Sequence, residues 1–400
     1  MRAVRRIKSN INGIAKFLIH LAGSLLLRPW IVKPNPQSIG REQSLRILYV
    51  CLAYRGDLVI NFPAIDALKK KFPNSHLTCW VRGFNESLAR MNHNIDDVIV
   101  YDDFSPRPLA SILEIAVGDN HLGLIRRLRD FDIFLDDSGY AFTAIAGFRA
   151  KIPLRVGRNF QGLGFLNHFE FPLDPNSQLI HRRLKPLRVF GIDLTLNDIP
   201  KPYFNFDPIL RLSILKEFGL SGLDYFTIQP FAGWEAKNWD IDRYGRVAKQ
   251  FAEDSGLTPV FLGSQSERAI IDKMLAGHRL KAANFAGIAD LNEVAAVIAG
   301  ARMHFGADSV GSQLAISLGV KSLTIFGPAN PVLCSYLGGP NFGITKRTKC
   351  SPKPGRLYCC FDAGRSCPHI SCMRELREED VLRALIDVWR GKAAQPLMEF

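Results

Sequence analysis

The chain has 400 residues, 47% of them hydrophobic and 22% charged, the composition of a folded globular protein, which excludes a disordered or collagen-like one. Its 51 Lys and Arg outnumber 38 Asp and Glu, a net charge of +13 that favours phosphates, nucleic acid or an acidic membrane face as partner. The basic residues come in short clusters such as Arg126-Arg127, Arg182-Arg183 and Lys346-Arg347, with no basic–aromatic array for stacked bases, so no nucleic-acid partner is expected.

Residues 1–44 read as an extension and linker. Arg2, Arg5, Arg6 and Lys8 precede an apolar stripe at Ile7, Ile11, Ile14, Leu18, Leu21 and Leu25, whose alternating spacing is one face of a helix. Lys16 and His20 interrupt the run, which makes it a poor transmembrane span, and no clean small-residue cleavage site follows. The stripe suits a helix lying in a membrane interface or one docked on the protein's own surface.

Residues 45–203 alternate strands and helices. Leu45–Leu52 reads as a strand, Ala53–Asp57 as a tight turn and Leu58–Phe72 as a helix. Strands follow at His76–Val81, Asp97–Tyr101 and Phe131–Leu135, with helices at Leu122–Arg129 and Ala141–Phe148. That alternation predicts a parallel, doubly wound α/β sheet. The first turn lacks the Gly-x-Gly-x-x-Gly pattern of a dinucleotide site.

Residues 204–376 repeat the pattern. Strand Tyr225–Gln229 leads into a loop containing Gly233, Trp234, Lys237, Asn238 and Trp239. Helix Arg243–Glu253, strand Pro259–Leu262 and helices Glu267–Leu275 and Leu291–Ala299 come next. Met303–Gly306 is a strand, Asp308–Gly311 a polar turn, Ser312–Leu318 a helix and Val320–Phe326 a strand. A helix start after such a turn presents free N–H groups, which bind anions, above all phosphates. Residues 377–400 hold a last helix at Glu379–Trp389 and a tail. The architecture expected is two Rossmann-like α/β domains facing a cleft.

Cys51, Cys79 and Cys334 sit in apolar surroundings and read as buried thiols. Cys350, Cys359, Cys360, Cys367 and Cys372 crowd a late Pro/Gly-rich loop. Four thiolates can bind zinc, but the spacing is irregular, and a plain reduced loop in a reducing cytoplasm is the expectation. The acidic pairs Asp96-Asp97, Asp102-Asp103 and Asp136-Asp137 lack Asp-x-Asp spacing, so no metal is assigned.

Residue types suggest roles, each with a plainer alternative. Asp57 suits a general base or merely caps the following helix. Lys237 suits a phosphate cation or is a solvated lysine. Asp308 needs a partner before it can stand beside a phosphate, and it more plausibly orients sugar hydroxyls. Glu267 is a candidate ligand or a first-turn helix acid.

In order, Gly56-Asp57 with Pro63, the helix from His181 to Gly191, Lys237-Asn238-Trp239, Leu262-Gly263 with Glu267, Asp308-Ser309, Phe326-Gly327-Pro328 and Cys372-Met373 resemble the heptosyltransferase family of glycosyltransferases. The resemblance covers roughly residues 45 to 390. It implies the two-domain GT-B fold and inverting transfer of a sugar, with ADP-heptose as donor and lipopolysaccharide core or a related glycan as acceptor. It also implies no required metal or cofactor and work in the cytoplasm at the inner face of the inner membrane. Asp57 becomes the candidate base, with Arg55 and Gly56 shaping its turn on the acceptor side. Gly233, Trp234 and Lys237 would meet the donor phosphates, Glu267 the ribose, and Leu291 the base. Asp308, Ser309, Gly311 and Gln313 would line the helix start. Two positions depart from the family pattern of Asp-Ser/Thr-Gly, two residues, then His: Val310 replaces the Gly, and Gln313 replaces the His. Competing readings are an isomerase acting on a nucleotide sugar and a non-catalytic membrane-associated relative.

Overall fold

The structure, a computed structural model, describes residues 16–28, 31–103, 121–172, 174, 176–200, 203–204, 208–287, 290–353, 355–359, 367 and 369–400. They fall into two compact units: Met1–Tyr54, Asn61–Asp174 and His181–Asp198 in the first, Arg55–Ile60, Pro175–Ile180 and Ile199–Phe400 in the second.

The first unit holds β1 (Arg46–Cys51), β2 (His76–Val81), β3 (Asp97–Val100), β4 (Ile133–Asp136), β5 (Leu154–Arg158) and β6 (Phe169–Phe171). They form one sheet in the order β3-β2-β1-β4-β5-β6, and every pairing is parallel. β1 is central and covered on both faces, which is why it reads as an unbroken apolar run from Ile47 to Cys51. β5 and β6 were not among the expected strands. Their sequences, Leu-Arg-Val-Gly-Arg and Phe-Glu-Phe, carry charges that a local pattern assigns to a surface.

Those charges are absorbed in the interior. Arg158 and Arg183 each place a guanidinium nitrogen near Asp137, at 3.0 and 2.8 Å, and the Asn61 amide donates to the same carboxylate at 3.2 Å. Burial pushes the Asp137 carboxyl up, against the pull of Arg183. The pair Arg182-Arg183, one of the short basic clusters noted above, is buried, and Arg183 serves an internal ion pair.

Residues 16–26 form a helix with two different faces. One face packs on the first unit: Gly23 lies against the Phe165 ring, and the His20 ring is 3.0 Å from the Asn159 amide. Just beyond the helix, Arg28 pairs with Glu170. The other face leaves Leu18, Leu21 and Leu25 exposed at 55%, 44% and 68%. The expected stripe thus points away from the protein at these positions. Its members Ile7, Ile11 and Ile14, and the basic Arg2, Arg5, Arg6 and Lys8, lie outside the described residues.

The second unit holds β7 (Tyr225–Gln229), β8 (Thr258–Phe261), β9 (Ala283–Asn284), β10 (Met303–Ala307), β11 (Ser322–Phe326), β12 (Asn341–Thr345) and β13 (Leu397–Glu399). The order is β13-β12-β11-β10-β7-β8-β9, again parallel throughout. Two parallel-sheet α/β units are the fold class expected. The helix Ile241–Ser255 shows how this unit is held. Asp240 caps its start by accepting from the Arg243 N–H at 3.0 Å, and Gly256, at φ 73°, ends it. Tyr244, Val247, Ala248 and Phe251 face inward, and Phe251 meets Phe226 edge-on at 4.9 Å. Burying one such large apolar side chain stabilises by about 1.5–3 kcal/mol.

Two of the element starts that differ from expectation matter for the site. The helix expected from Leu58 runs Arg55–Lys71, with Tyr54 at its N-cap, so Asp57 lies in its first turn and is not the cap. The helix expected from Ser312 runs Val310–Ser317, with Ser309 at its N-cap.

Candidate active site

β7 ends at Gln229, and Pro230, which cannot donate to a ladder, releases the chain into the loop that follows. The loop is closed on itself by the Ala232 N–H donating to the Asn238 side chain at 2.8 Å. A single 3₁₀ turn, Glu235–Lys237, then aims Lys237 back at the end of β10. Trp239, the other half of the Lys-x-Trp pair, is core: its indole N–H donates to the Leu376 carbonyl at 3.2 Å.

The Lys237 ammonium donates to Asp308 Oδ2 at 2.6 Å and to the Asp308 carbonyl at 3.3 Å. It also stands 4.9 Å from the centre of the Trp234 ring. Burial works against its charge, but Asp308, with help from Cys334 and Asp57, outweighs that and holds the ammonium above its ordinary value. The side chain is only 15% exposed, so Lys237 is not the solvated surface lysine of the plainer alternative. Asp308 has found the partner it needed.

Directly beyond this pair, the helix Val310–Ser317 starts without a side-chain cap. Ser309 Oγ is buried and has no hydrogen-bond partner among the described residues. Its hydroxyl and the first N–H groups of the helix are donors that an anion can satisfy. Gln229 Oε1 is likewise buried without a partner, and it lies where a Cβ on Gly311 would be. Gly311 is therefore needed for the close approach of helix and strand end. Gln229 was not picked from the sequence; its one signal is an amide closing a mostly apolar strand just before a proline.

The first turn Arg55–Ile60 is grouped with the second unit. Asp57 there is half-buried, and its charge reaches Lys237 and Cys334. Gly56 sits against Gln313, whose Cγ would be 3.4 Å from a Cβ at that position. Gln313, at the family's His position, is 5% exposed and so stands beside the Gly56-Asp57 turn. Arg55 is exposed.

The structure thus gathers Asp57, Gly56, Lys237, Trp234, Asp308, Ser309, Gly311 and Gln313 around one strand end. Glu267 belongs to a separate turn, where its Oε2 accepts from the Ser264 N–H at 2.7 Å in a capping box with Ser264. Leu291 opens the helix Leu291–Gly300 and is half-buried. Gly233 is exposed with open space around it. Tyr358 was also missed by sequence reasoning: its ring is 5.0 Å from that of Trp234, far away along the chain.

Beneath the helix start, His304 is fully buried. Ser312 donates its one hydroxyl proton to the Ala307 carbonyl at 2.8 Å, so His304 Nε2–H must donate to Ser312 Oγ, 3.3 Å away. Nδ1 then accepts from Thr227 Oγ1 at 3.0 Å. Burial pushes this imidazole down to about 3 from the usual 6.5. A depressed His pKa contributes stability that is present above the unfolded value and lost as pH falls. Between pH 6.5 and about 3, His304 should remove about 1.4 kcal/mol per pH unit. Urea unfolding followed from neutral pH downward should show a shallower acid dependence in His304→Gln than in the wild type. Equal slopes would mean that His304 does not set it.

Residues 122–358, more than half of the chain, match the family model of glycosyltransferase family 9 (heptosyltransferase). The chain is 22% identical over 291 residues to lipopolysaccharide heptosyltransferase 3 of Escherichia coli (strain K12), covering 70% of this chain and 82% of that protein. It is 24% identical over 304 residues to lipopolysaccharide heptosyltransferase 2 of the same strain, covering 72% and 84%. Among solved structures, E. coli ADP-heptose lps heptosyltransferase II matches with a TM-score of 0.67 at 19% identity, over 88% of this chain and 100% of that one. The glycosyl transferase family 9 protein from Veillonella parvula DSM 2008 matches with a TM-score of 0.70 at 19% identity, over 88% and 99%. These likenesses share the two-unit α/β fold.

Proposed function

This chain belongs to glycosyltransferase family 9, the heptosyltransferase family, and from that membership we propose that it moves heptose from ADP-heptose to lipopolysaccharide core or a related cell-surface glycan, with inversion. The observation that carries the reading is the buried Lys237–Asp308 pair beside an uncapped helix start, with the Asp57 carboxylate in electrostatic reach. Lys237, Ser309 Oγ and the N–H groups of Val310 and Gly311 would receive the diphosphate. Glu267 and Leu291 would meet the ribose and the base, and Gly233 and Trp234 would border the phosphates. Asp57 would take the acceptor hydroxyl's proton as the new C1–O bond forms and the bond to the diphosphate breaks. The charge released on ADP would then meet Lys237 and the helix start, donors already in place before the reaction. Gln313 can hydrogen-bond at the His position but brings no charge. No metal or other cofactor is assigned to these steps.

A transfer assay offering ADP-heptose and UDP-sugars to a heptose-deficient lipopolysaccharide core tests the reading, with the anomeric configuration of the product read by NMR. ADP-heptose turnover with inversion is the expected result. Turnover without an acceptor would favour an isomerase, and no turnover with any donor would favour a non-catalytic relative.

Among the described residues no helix is long and apolar enough to cross a membrane. The exposed face of the helix at residues 16–26 suits interfacial binding on the inner leaflet, with Phe17, Leu18, Leu21, Leu25 and Leu26 entering the acyl boundary. Arg2, Arg5, Arg6 and Lys8, which precede this helix in the sequence, would add attraction to anionic lipid. Full-length protein should float with anionic liposomes in a salt-sensitive way, and a chain starting at Ser44 should float less. Equal flotation of the two would remove the helix from the interaction.

A further inference from the structure

We propose that the basic pocket at the start of β5, in the first unit, binds a phosphate monoester, with the phosphate held by Lys151, Arg155 and His168. The pocket is an open concavity of about 520 Å³, room for a phosphate and the small body that carries it. Arg149, Lys151, Arg155 and His168 line it, and Phe148 and Pro153 give it an apolar wall. Among the described residues no acidic side chain lines it. It sits where β5 begins, whereas Asp137 and its ion pairs lie where β4 ends, at the other end of the parallel sheet.

Arg155 is the clearest sign that an anion belongs here. It is 6% exposed, and both of its acceptors are neutral: Nε donates to the Leu166 carbonyl at 3.1 Å and Nη1 to the Ile152 carbonyl at 2.7 Å. Nη2 makes no hydrogen bond to a described residue. Burying a charge without a partner is costly, so a buried guanidinium is ordinarily matched by a carboxylate. Burial pushes Arg155 down to about 10, which leaves it charged at neutral pH. His168 adds a neutral donor. Its Nδ1 accepts the Arg155 N–H at 2.9 Å, so the ring proton stands on Nε2. Burial, and then the Arg155 charge, push this imidazole down to about 4.

Lys151 reaches the pocket on a backbone that glycine would adopt more cheaply. The helix Ala141–Arg149 ends in a Schellman motif: the Lys151 N–H donates to the Phe148 carbonyl at 3.0 Å and the Ile152 N–H to the Gly147 carbonyl at 3.4 Å, with Lys151 at φ 58°. A lysine kept in such a conformation points to a use for its side chain. A helix end attracts basic residues, which accounts for Arg149 and Lys151 but not for Arg155 on its strand. A phosphate monoester carries about 1.5–2 negative charges at pH 7, which suits three cations and no carboxylate.

A soluble ester and a lipid headgroup present the same group, and the fold favours the headgroup. Leu166, whose carbonyl fixes Arg155, follows Phe165, the ring against Gly23 of the helix at residues 16–26. Lys33, beyond that helix, stands 5.7 Å from the centre of the Phe169 ring, next to His168. Residues 165–169 thus join the pocket to the helix whose apolar face is exposed.

Calorimetry of the full-length chain with glycerol 3-phosphate should show saturable binding, and Lys151→Glu should abolish it. Lys151→Gly should weaken it about 10-fold, the scale of one charge-assisted hydrogen bond. Its Tm should equal or exceed that of the wild type, because glycine relieves the backbone. Lys281→Gln, which removes one charge from the second unit, should leave the affinity unchanged. Preferential flotation on phosphatidic acid vesicles over phosphatidylglycerol vesicles of equal surface charge, lost in Lys151→Gly, assigns the phosphate to a lipid. Calorimetric binding without that preference assigns it to a soluble ester. No saturable binding together with no vesicle preference would overturn the proposal. So would equal affinity in the wild type and both Lys151 variants. Binding lost in Lys237→Ala but kept in Lys151→Glu would also overturn it, since the phosphate then occupies the site proposed for the donor.

Discussion

Asp57→Asn should lower turnover by about 10²–10⁴-fold and leave ADP affinity nearly unchanged, because the amide keeps the shape and hydrogen bonding of the carboxylate but cannot accept a proton. The position sharpens the test. Asp57 is the third residue of the helix Arg55–Lys71, and Tyr54 holds the cap position, so its loss does not remove a cap. A first-turn acid stabilises its helix by about 0.3–1 kcal/mol through the dipole, too little to mimic a catalytic defect. Transfer of radiolabelled heptose, with a thermal melt alongside, separates the outcomes. A folded variant with near-normal turnover would move the base elsewhere and take the acceptor-side roles of Arg55 and Gly56 with it.

Lys237→Ala should damage the protein in two ways that a second variant can separate. Removing the ammonium strands Asp308, which is 7% exposed, and breaking such a buried pair costs about 3–5 kcal/mol of stability. Removing a preorganised donor to the leaving group should cost about 10²–10³-fold in kcat. The double change Lys237→Ala with Asp308→Ala should recover much of the stability and little of the turnover, because both charges are then gone. Calorimetry with ADP and UDP reads the binding part. Unchanged affinity together with unchanged kcat would leave the pair as a structural ion pair alone.

The elements read well from sequence are those whose signal is local. β1 from Ile47 to Cys51, and β7 apart from Thr227 and Gln229, are apolar because central parallel strands are covered on both faces. The helices Ile241–Ser255, Leu291–Gly300 and Glu378–Trp389 were found because each buries one face at helical spacing. Their starts came out within two residues of the observed ones, since caps such as Asp240 act through one hydrogen bond that periodicity does not weigh. β9, β12 and β13 escaped for the opposite reason. Asn341–Thr345 begins with a polar residue and carries a glycine, and Leu397–Glu399 is three residues long; what makes each a strand is the neighbour it pairs with.

By itself the sequence determined the alternating α/β order, the fold class and the short motifs that single out Asp57, Lys237 and Asp308, because each depends on residues a few positions apart. Tertiary structure alone decided that Lys237 meets Asp308 across 71 residues, that Arg183 is spent on Asp137 inside the first unit, and that Gln229 fills the space Gly311 leaves. It also decided that four unevenly spaced cysteines share one cavity. The Lys237–Asp308 and Gln229–Gly311 contacts follow from strand order in a parallel sheet, which brings the ends of β7 and β10 together however much chain lies between them, and no local propensity encodes that distance.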